Sequence, residues 1–280
     1  RGSSEAIDLV IRTFCQSETG SVLTTTPSFS MYRHYAEVQG ARIIEVPTLA
    51  EQDFVIDVDA ILEACDDSTR LLFVCSPNNP TGTTLPRADL ERLLKLRGDQ
   101  SAIVVDEAYV EFGDKPSVTE LLGRFDNLLV LRTVSKALGF AGARCGGVVG
   151  PAPVIRMLSA VQAPYALATP VVECVEDALQ ANQLELARKA VAEIIDERER
   201  LAKALRRYDF VSRVWPSDAN FLLIRVNDAA RVMQRCGEKK VLLRHFGGDL
   251  EDCIRISIGT PEENDKLLRA LDMLKGDRNA

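Results

Sequence analysis

Short apolar runs and amphipathic stretches alternate along most of this chain. Residues 3–14 carry Ile7, Val10, Ile11 and Phe14 at spacing i, i+3, i+4, i+7, the stripe of a helix packed on a core. Ser3 or Ser4 stands where such a helix needs a cap. Runs rich in apolar and β-branched residues follow at 22–25, 43–46, 71–75, 103–105, 128–131 and 147–149. Each has the length and the flanking turn signals of a buried strand. Helical stretches lie between most of them, 57–64 and 87–96 among them. The alternation predicts an α/β fold: a large, mostly parallel sheet sandwiched by helices.

The rhythm changes after about residue 170. Helices are predicted over 171–180 and 184–207, then strands at 211–215 and 220–226 and a helix over 229–236. Strands at 241–244 and 254–258 and a final helix from Pro261 complete the pattern, with a tail in the last few residues. This reads as a smaller C-terminal α+β domain. The expected division is a large domain over 1–172, then linking helices and the small domain over 173–280. There are no internal repeats.

Composition narrows the function without naming it. With 280 residues, 46% hydrophobic and 27% charged, the chain can bury a sizeable core. A net charge of −7 argues against a nucleic-acid partner and against a polybasic membrane surface, so any anion must meet a local arginine cluster. Seven scattered cysteines without a C-x-x-C pair, and only two histidines, give no zinc spacing; reduced thiols in a cytoplasmic setting are the simpler reading. No apolar run is long enough for a bilayer. The chain has no initial Met and a helix begins at once, so an N-terminal segment is expected to be lacking.

The chemistry sits at the predicted strand tips, where ligands bind in a parallel sheet. Ser76-Pro-Asn-Asn79-Pro-Thr-Gly82 follows one strand, Asp106-Glu107-Ala108-Tyr109 the next, and Ser135-Lys136 a third. A lysine delivered by an apolar strand into a glycine-rich loop is partly desolvated, which favours its free amine and makes Lys136 a candidate Schiff-base lysine. Pyridoxal phosphate would use the whole set. Its aldehyde needs Lys136, and its ring nitrogen needs a buried carboxylate, for which Asp106 fits. Asn79 and Tyr109 can donate to its phenolic oxygen. Its phosphate would take backbone N–H groups at Gly2, Ser3 and Ser4, the hydroxyls of Ser135 and Thr133, and the fork of Arg144. Phe29 is the candidate cover for the ring face. Taken singly, several of these residues have plainer readings. Tyr109 also fits a core tyrosine, Asn79 a turn residue, Ser3 and Ser4 ordinary caps, and Arg144 a surface ion-pair partner.

In order and spacing, these motifs resemble the fold-type I, aspartate aminotransferase-like pyridoxal phosphate enzymes, over essentially the whole chain. E-A-Y-V-E-F at 107–112, L-R-T-V-S-K-A at 131–137, A-G-A-R-C-G at 141–146 and C-I-R-I-S-I-G-T at 253–260 are similar to the histidinol-phosphate aminotransferase family. The resemblance implies transfer of an amino group between histidinol phosphate and 2-oxoglutarate, giving imidazole acetol phosphate and glutamate in histidine biosynthesis. It implies a homodimer with the site at the subunit interface. It also implies that Arg255 binds the carboxylate of the amino donor or the phosphate of the alternative substrate, with Arg244 second. On local pattern Arg255, between Ile254 and Ile256, is equally a solvent-facing arginine. The family usually has a tyrosine where Phe29 stands. Its N-terminal segment, which supplies a small-domain strand and part of the dimer arm, is the piece expected to be lacking. The same fold and cofactor residues serve a threonine-phosphate decarboxylase and aromatic aminotransferases, so these stay open, as does a non-catalytic member.

Overall fold

The structure is a computed structural model that describes residues 1–15 and 19–275; the expected C-terminal tail lies outside the described residues. Its first sheet has six strands: β1 (Ser21–Thr26), β2 (Arg42–Pro47), β3 (Thr69–Cys75), β4 (Ala102–Asp106), β5 (Leu128–Thr133) and β6 (Gly146–Val149), in the order β2-β1-β3-β4-β5-β6. All neighbours are parallel except β6, which closes the edge antiparallel to β5 with Thr133 opposite Gly146. The central strands are buried on both faces, which is why they read as nearly continuous apolar runs. Phe73, Val104 and Leu129 point to one face and Leu72, Ile103 and Leu128 to the other, as a period of two requires.

Helices α1 (Ser3–Phe14), α2 (Met31–Gln39) and α5 (Ala152–Val161) cover the first face, and α3 (Val58–Ala64) and α4 (Arg87–Arg97) the second. The stripe of α1 buries Ile7, Val10 and Ile11. Asp57 caps α3 by accepting from the N–H groups of Asp59 and Ala60. The structure adds α5, which no predicted segment covered. Its outward positions include Met157 and Val161, so its apolar residues do not keep to one stripe.

After α6 (Thr169–Ala178), the 25-residue helix α7 (Ala181–Leu205) leads to a second sheet. Strands β7 (Val211–Val214), β8 (Phe221–Val226), β9 (Arg244–His245) and β10 (Cys253–Ser257) form an antiparallel sheet in the order β7-β8-β10-β9. It packs on α7, α8 (Ala229–Glu238) and α9 (Pro261–Lys275) around its own core. The strand predicted over 241–244 shrinks to Arg244–His245: Val241 and Leu243 pack on the core, but only positions 244 and 245 pair with β10. The expected division between 172 and 173 falls inside α6.

The two sheets meet where the site lies. Arg198 on α7 is buried, and its Nη1 donates to the carbonyls of Phe112 at 3.0 Å and Ala219 at 2.9 Å, one on each side. The turn at Gly82 packs against residue 217 so closely that a Cβ there would sit 2.8 Å from the Ser217 Cα; its φ of +79° is a second reason for glycine. The Gly82 carbonyl accepts from the Asp218 N–H at 2.9 Å, fixing the approach.

Candidate active site

The carboxyl ends of β1, β3, β4 and β5 open into one cleft of about 270 Å³. Phe29 arrives on the turn after β1, Asn79 after β3, Asp106 as the last residue of β4 with Tyr109 three residues on, and Ser135 and Lys136 after β5. Ser3, Ser4, Thr133, Arg144 and Arg255 line the same cleft. Eleven of the thirteen residues expected from the sequence therefore converge on one space, drawn from both ends of the chain. The other two stand beside it. Gly2 lies behind Arg144, in a neighbouring hollow. Arg244 lines an adjoining groove of about 600 Å³ that shares Phe29, Asn79 and Arg255 with the cleft.

Asp106 forms the floor and is 3% exposed. Its Oδ2 accepts from the Tyr32 hydroxyl at 2.8 Å and its Oδ1 from the Ala108 N–H at 3.1 Å. Burial pushes its carboxyl above the usual range, opposed by the Tyr32 hydroxyl, the Ala108 N–H and the charge of Lys136. The Lys136 amine is pushed the other way. Desolvation comes first, the nearby Arg255 charge adds to it, and Asp106 opposes both. The result is an amine more easily freed of its proton than a surface lysine's. Lys136 Nζ lies 5.3 Å from the centre of the Tyr109 ring. That ring is held edge-on by Phe221 of β8 at 5.1 Å, and burial raises its hydroxyl, keeping it a proton donor.

At the roof, Arg255 on β10 reaches across from the second sheet. Its guanidinium stacks over Phe221 at 5.0 Å and donates from Nη1 to Asn79 Oδ1 at 2.5 Å, while Nε is buried with no hydrogen-bond partner among the described residues. The bond occupies the Asn79 carbonyl oxygen and leaves its NH₂ for the cleft. Arg244 stacks over Phe246 at 5.7 Å. Among the described residues neither arginine forms an ion pair with a carboxylate, an arrangement suited to an incoming anion.

At the far end, Arg144 adopts a left-handed backbone (φ 51°) and its guanidinium bonds the carbonyls of Ala141 at 2.9 Å and Arg1 at 3.1 Å. The first turn of α1 is packed here so tightly that a Cβ at Gly146 would lie 2.7 Å from the Ser3 nitrogen. Thr133 Oγ1 is 3.2 Å from the Cys145 carbonyl and 2.9 Å from Ser135 Oγ, and accepts from the Ser135 N–H at 3.2 Å. Engaged with both Ser135 and the Cys145 carbonyl, Thr133 shapes the loop that presents Ser135. Two residues have no mark in the sequence: Tyr32, buried beneath the floor, and Cys75, which lines the cleft. Tyr32 on a buried helix face looks like a core residue until its hydroxyl is traced. Cys75, whose thiol burial pushes up to about 12, sits at the end of an apolar run with nothing to single it out.

A buried carboxylate, a desolvated amine and an anion-binding end in one cleft fit pyridoxal phosphate group for group, so fold and site together define a fold-type I pyridoxal phosphate enzyme. The family model of aminotransferase class I and II matches residues 1–271, and the chain belongs to that family. It is 44% identical over 275 residues to a histidinol-phosphate aminotransferase of Xanthomonas campestris pv. campestris, covering 97% of this chain and 76% of that protein. It is 43% identical to that of Xylella fastidiosa, at 97% and 75% coverage. The crystal structure of the histidinol-phosphate aminotransferase from Clostridium acetobutylicum superposes with a TM-score of 0.88 at 25% identity, covering 99% of this chain and 82% of that one.

Proposed function

We propose that the protein is a histidinol-phosphate aminotransferase, moving an amino group between histidinol phosphate and 2-oxoglutarate in histidine biosynthesis. The observation that carries this reading is the pairing of a Lys136–Asp106 floor with two arginines, Arg255 and Arg244, that face the cleft and groove and have no acidic partner among the described residues. Cofactor and substrates here all carry phosphate or carboxylate groups. The relatives named for this activity support the choice of substrate.

Pyridoxal phosphate, when bound, supplies an aldehyde that captures an amine and a protonated ring that accepts an electron pair. The chain's residues do the rest. Lys136 would hold the aldehyde end, and its amine, when free, would act as the base that moves a proton from the substrate carbon. Its lowered proton affinity suits that task. Asp106 would keep the ring nitrogen protonated. Asn79 and Tyr109 would donate to the phenolic oxygen, and Phe29 would cover the ring. Ser135, Arg144 and the first turn of α1, at Gly2, Ser3 and Ser4, would hold the phosphate, with Thr133 supporting them by shaping the Ser135 loop. Arg255, and more weakly Arg244, hold the anionic end of the substrate. Because Arg255 comes from the second sheet, a small shift of that sheet against the first would tighten or release its hold on substrate.

The proposal extends to a cytoplasmic homodimer. Its support is the exposed apolar side chains of Met157, Val161, Tyr165 and Leu167, which a second copy would cover, and seven cysteines that are all free thiols. A single-turnover scan of amino compounds against the pyridoxal form tests the substrate. Histidinol phosphate should shift the visible absorbance fastest, and release of carbon dioxide in place of an amino-acid product would point to a decarboxylase.

A further inference from the structure

One hydroxyl that this chemistry does not use is tied to the group the chemistry depends on. Tyr32, the second residue of α2, is fully buried, and its Oη donates to Asp106 Oδ2 at 2.8 Å. Its ring is fixed on two sides. Phe73 stacks on it at 4.8 Å and 15°, and Phe29 meets it edge-on at 5.7 Å and 84°. Phe29 and Tyr32 are three residues apart at the start of α2, so one turn supplies both the wall of the cleft and the support under its floor.

Asp106 has few other sources of charge stabilisation. Its second oxygen takes one backbone N–H, and among the described residues it has no ion pair. The titratable groups around it are Tyr32 from α2, Cys75 from β3, Tyr109 from the turn after β4, and Lys136 from the loop after β5. A carboxylate so placed is drawn towards its protonated form, in which it cannot serve as counter-charge. A phenyl ring at position 32 would satisfy the packing equally well. The added hydroxyl bonds the acidic residue that lines the cleft.

We propose that Tyr32 is a positioning residue for Asp106: its hydroxyl fixes Oδ2 and favours the ionised carboxylate, so that a counter-charge is ready before a pyridine-type cofactor arrives. This rests on the reading of Asp106 as partner of the ring nitrogen. Burial and the Asp106 charge hold the Tyr32 hydroxyl protonated, so it stays a donor throughout the working pH range.

The test introduces Tyr32→Phe, which keeps both ring contacts, into the parent chain and into Asp106→Asn. Thermal unfolding of the cofactor-free chains is followed from about pH 5 to about pH 9, and pyridoxal phosphate is titrated by fluorescence. Burial raises the folded Asp106 proton affinity above the unfolded one, so its contribution to stability falls as pH rises between the two values. Removing a donor to the charged form raises the folded value further and carries that fall to higher pH. The expected result is a loss of unfolding temperature on Tyr32→Phe that grows with pH in the parent chain and is level in Asp106→Asn. Cofactor affinity should weaken about ten-fold. Phe73→Leu, which loosens the same packing without touching the hydroxyl, should cost the same at every pH. A loss from Tyr32→Phe that is equal at all pH values in both backgrounds overturns the proposal. If the parent chain fails to capture pyridoxal phosphate, the cofactor reading falls by itself, and the titration of the cofactor-free chains still decides the role of Tyr32.

Discussion

At the floor of the cleft, both oxygens of Asp106 are bonded within the first sheet and its covering helix. At the roof, the guanidinium groups of Arg255 and Arg244 meet aromatic rings and, among the described residues, no carboxylate. The floor is built from adjacent parallel strands, α2 and a turn, locked by a core on each face of the sheet. The roof hangs on β9 and β10 of the second sheet, and β9 pairs through only two residues. Groups that hold one cofactor through every turnover profit from preorganisation, whereas groups that exchange two substrates profit from unsatisfied charge and a movable support. Under the proposed function, cofactor chemistry falls to one sheet and substrate selection largely to the other.

Substitutions can break or sharpen that contrast. Lys136→Ala attacks the floor and should lower transamination by at least about a thousand-fold, with loss of the visible absorbance of bound cofactor, measured by single-turnover kinetics. Arg255→Leu attacks the roof. It should raise the KM for 2-oxoglutarate by about a hundred-fold, consistent with losing a charged hydrogen-bonded pair, while cofactor affinity measured by fluorescence changes little. An equal loss of cofactor affinity would erase the distinction between floor and roof. Arg198→Met severs the join between them. It leaves the carbonyls of Phe112 and Ala219 without their shared donor and should cost about 2 kcal/mol in denaturant unfolding. Arg244→Ala, further from the floor, should raise the KM for the phosphorylated substrate by only about ten-fold.

The same contrast explains what the sequence revealed. Strands buried on both faces write themselves as apolar runs, so β3, β4 and β5 were legible, and the polar residues at their tips marked the floor. Arg255 was ambiguous, because a strand with one exposed face places arginines outward for ordinary reasons. Only its contacts with Asn79 and Phe221, 176 residues away in the first case, settle where it points. Tyr32 was invisible for the opposite reason: a buried helix face is where an aromatic residue needs no explanation. Gly2 and Arg244 fell just outside the cleft, because local spacing cannot distinguish a residue that lines a cavity from one that backs its wall. The short β9 was over-predicted, since the apolar run at 241–243 records packing of Val241 and Leu243 on a core and says nothing about which backbone groups pair.

Lys136 is the proposed anchor of an aldehyde cofactor, with Asp106 as its counter-charge. Mixing the chain with pyridoxal phosphate, reducing with borohydride and mapping the peptides by mass spectrometry tests this most directly. The prediction is one stable secondary amine, on Lys136, that disappears in Lys136→Ala. A cofactor adduct on another lysine in the parent chain, or none at all, would contradict it.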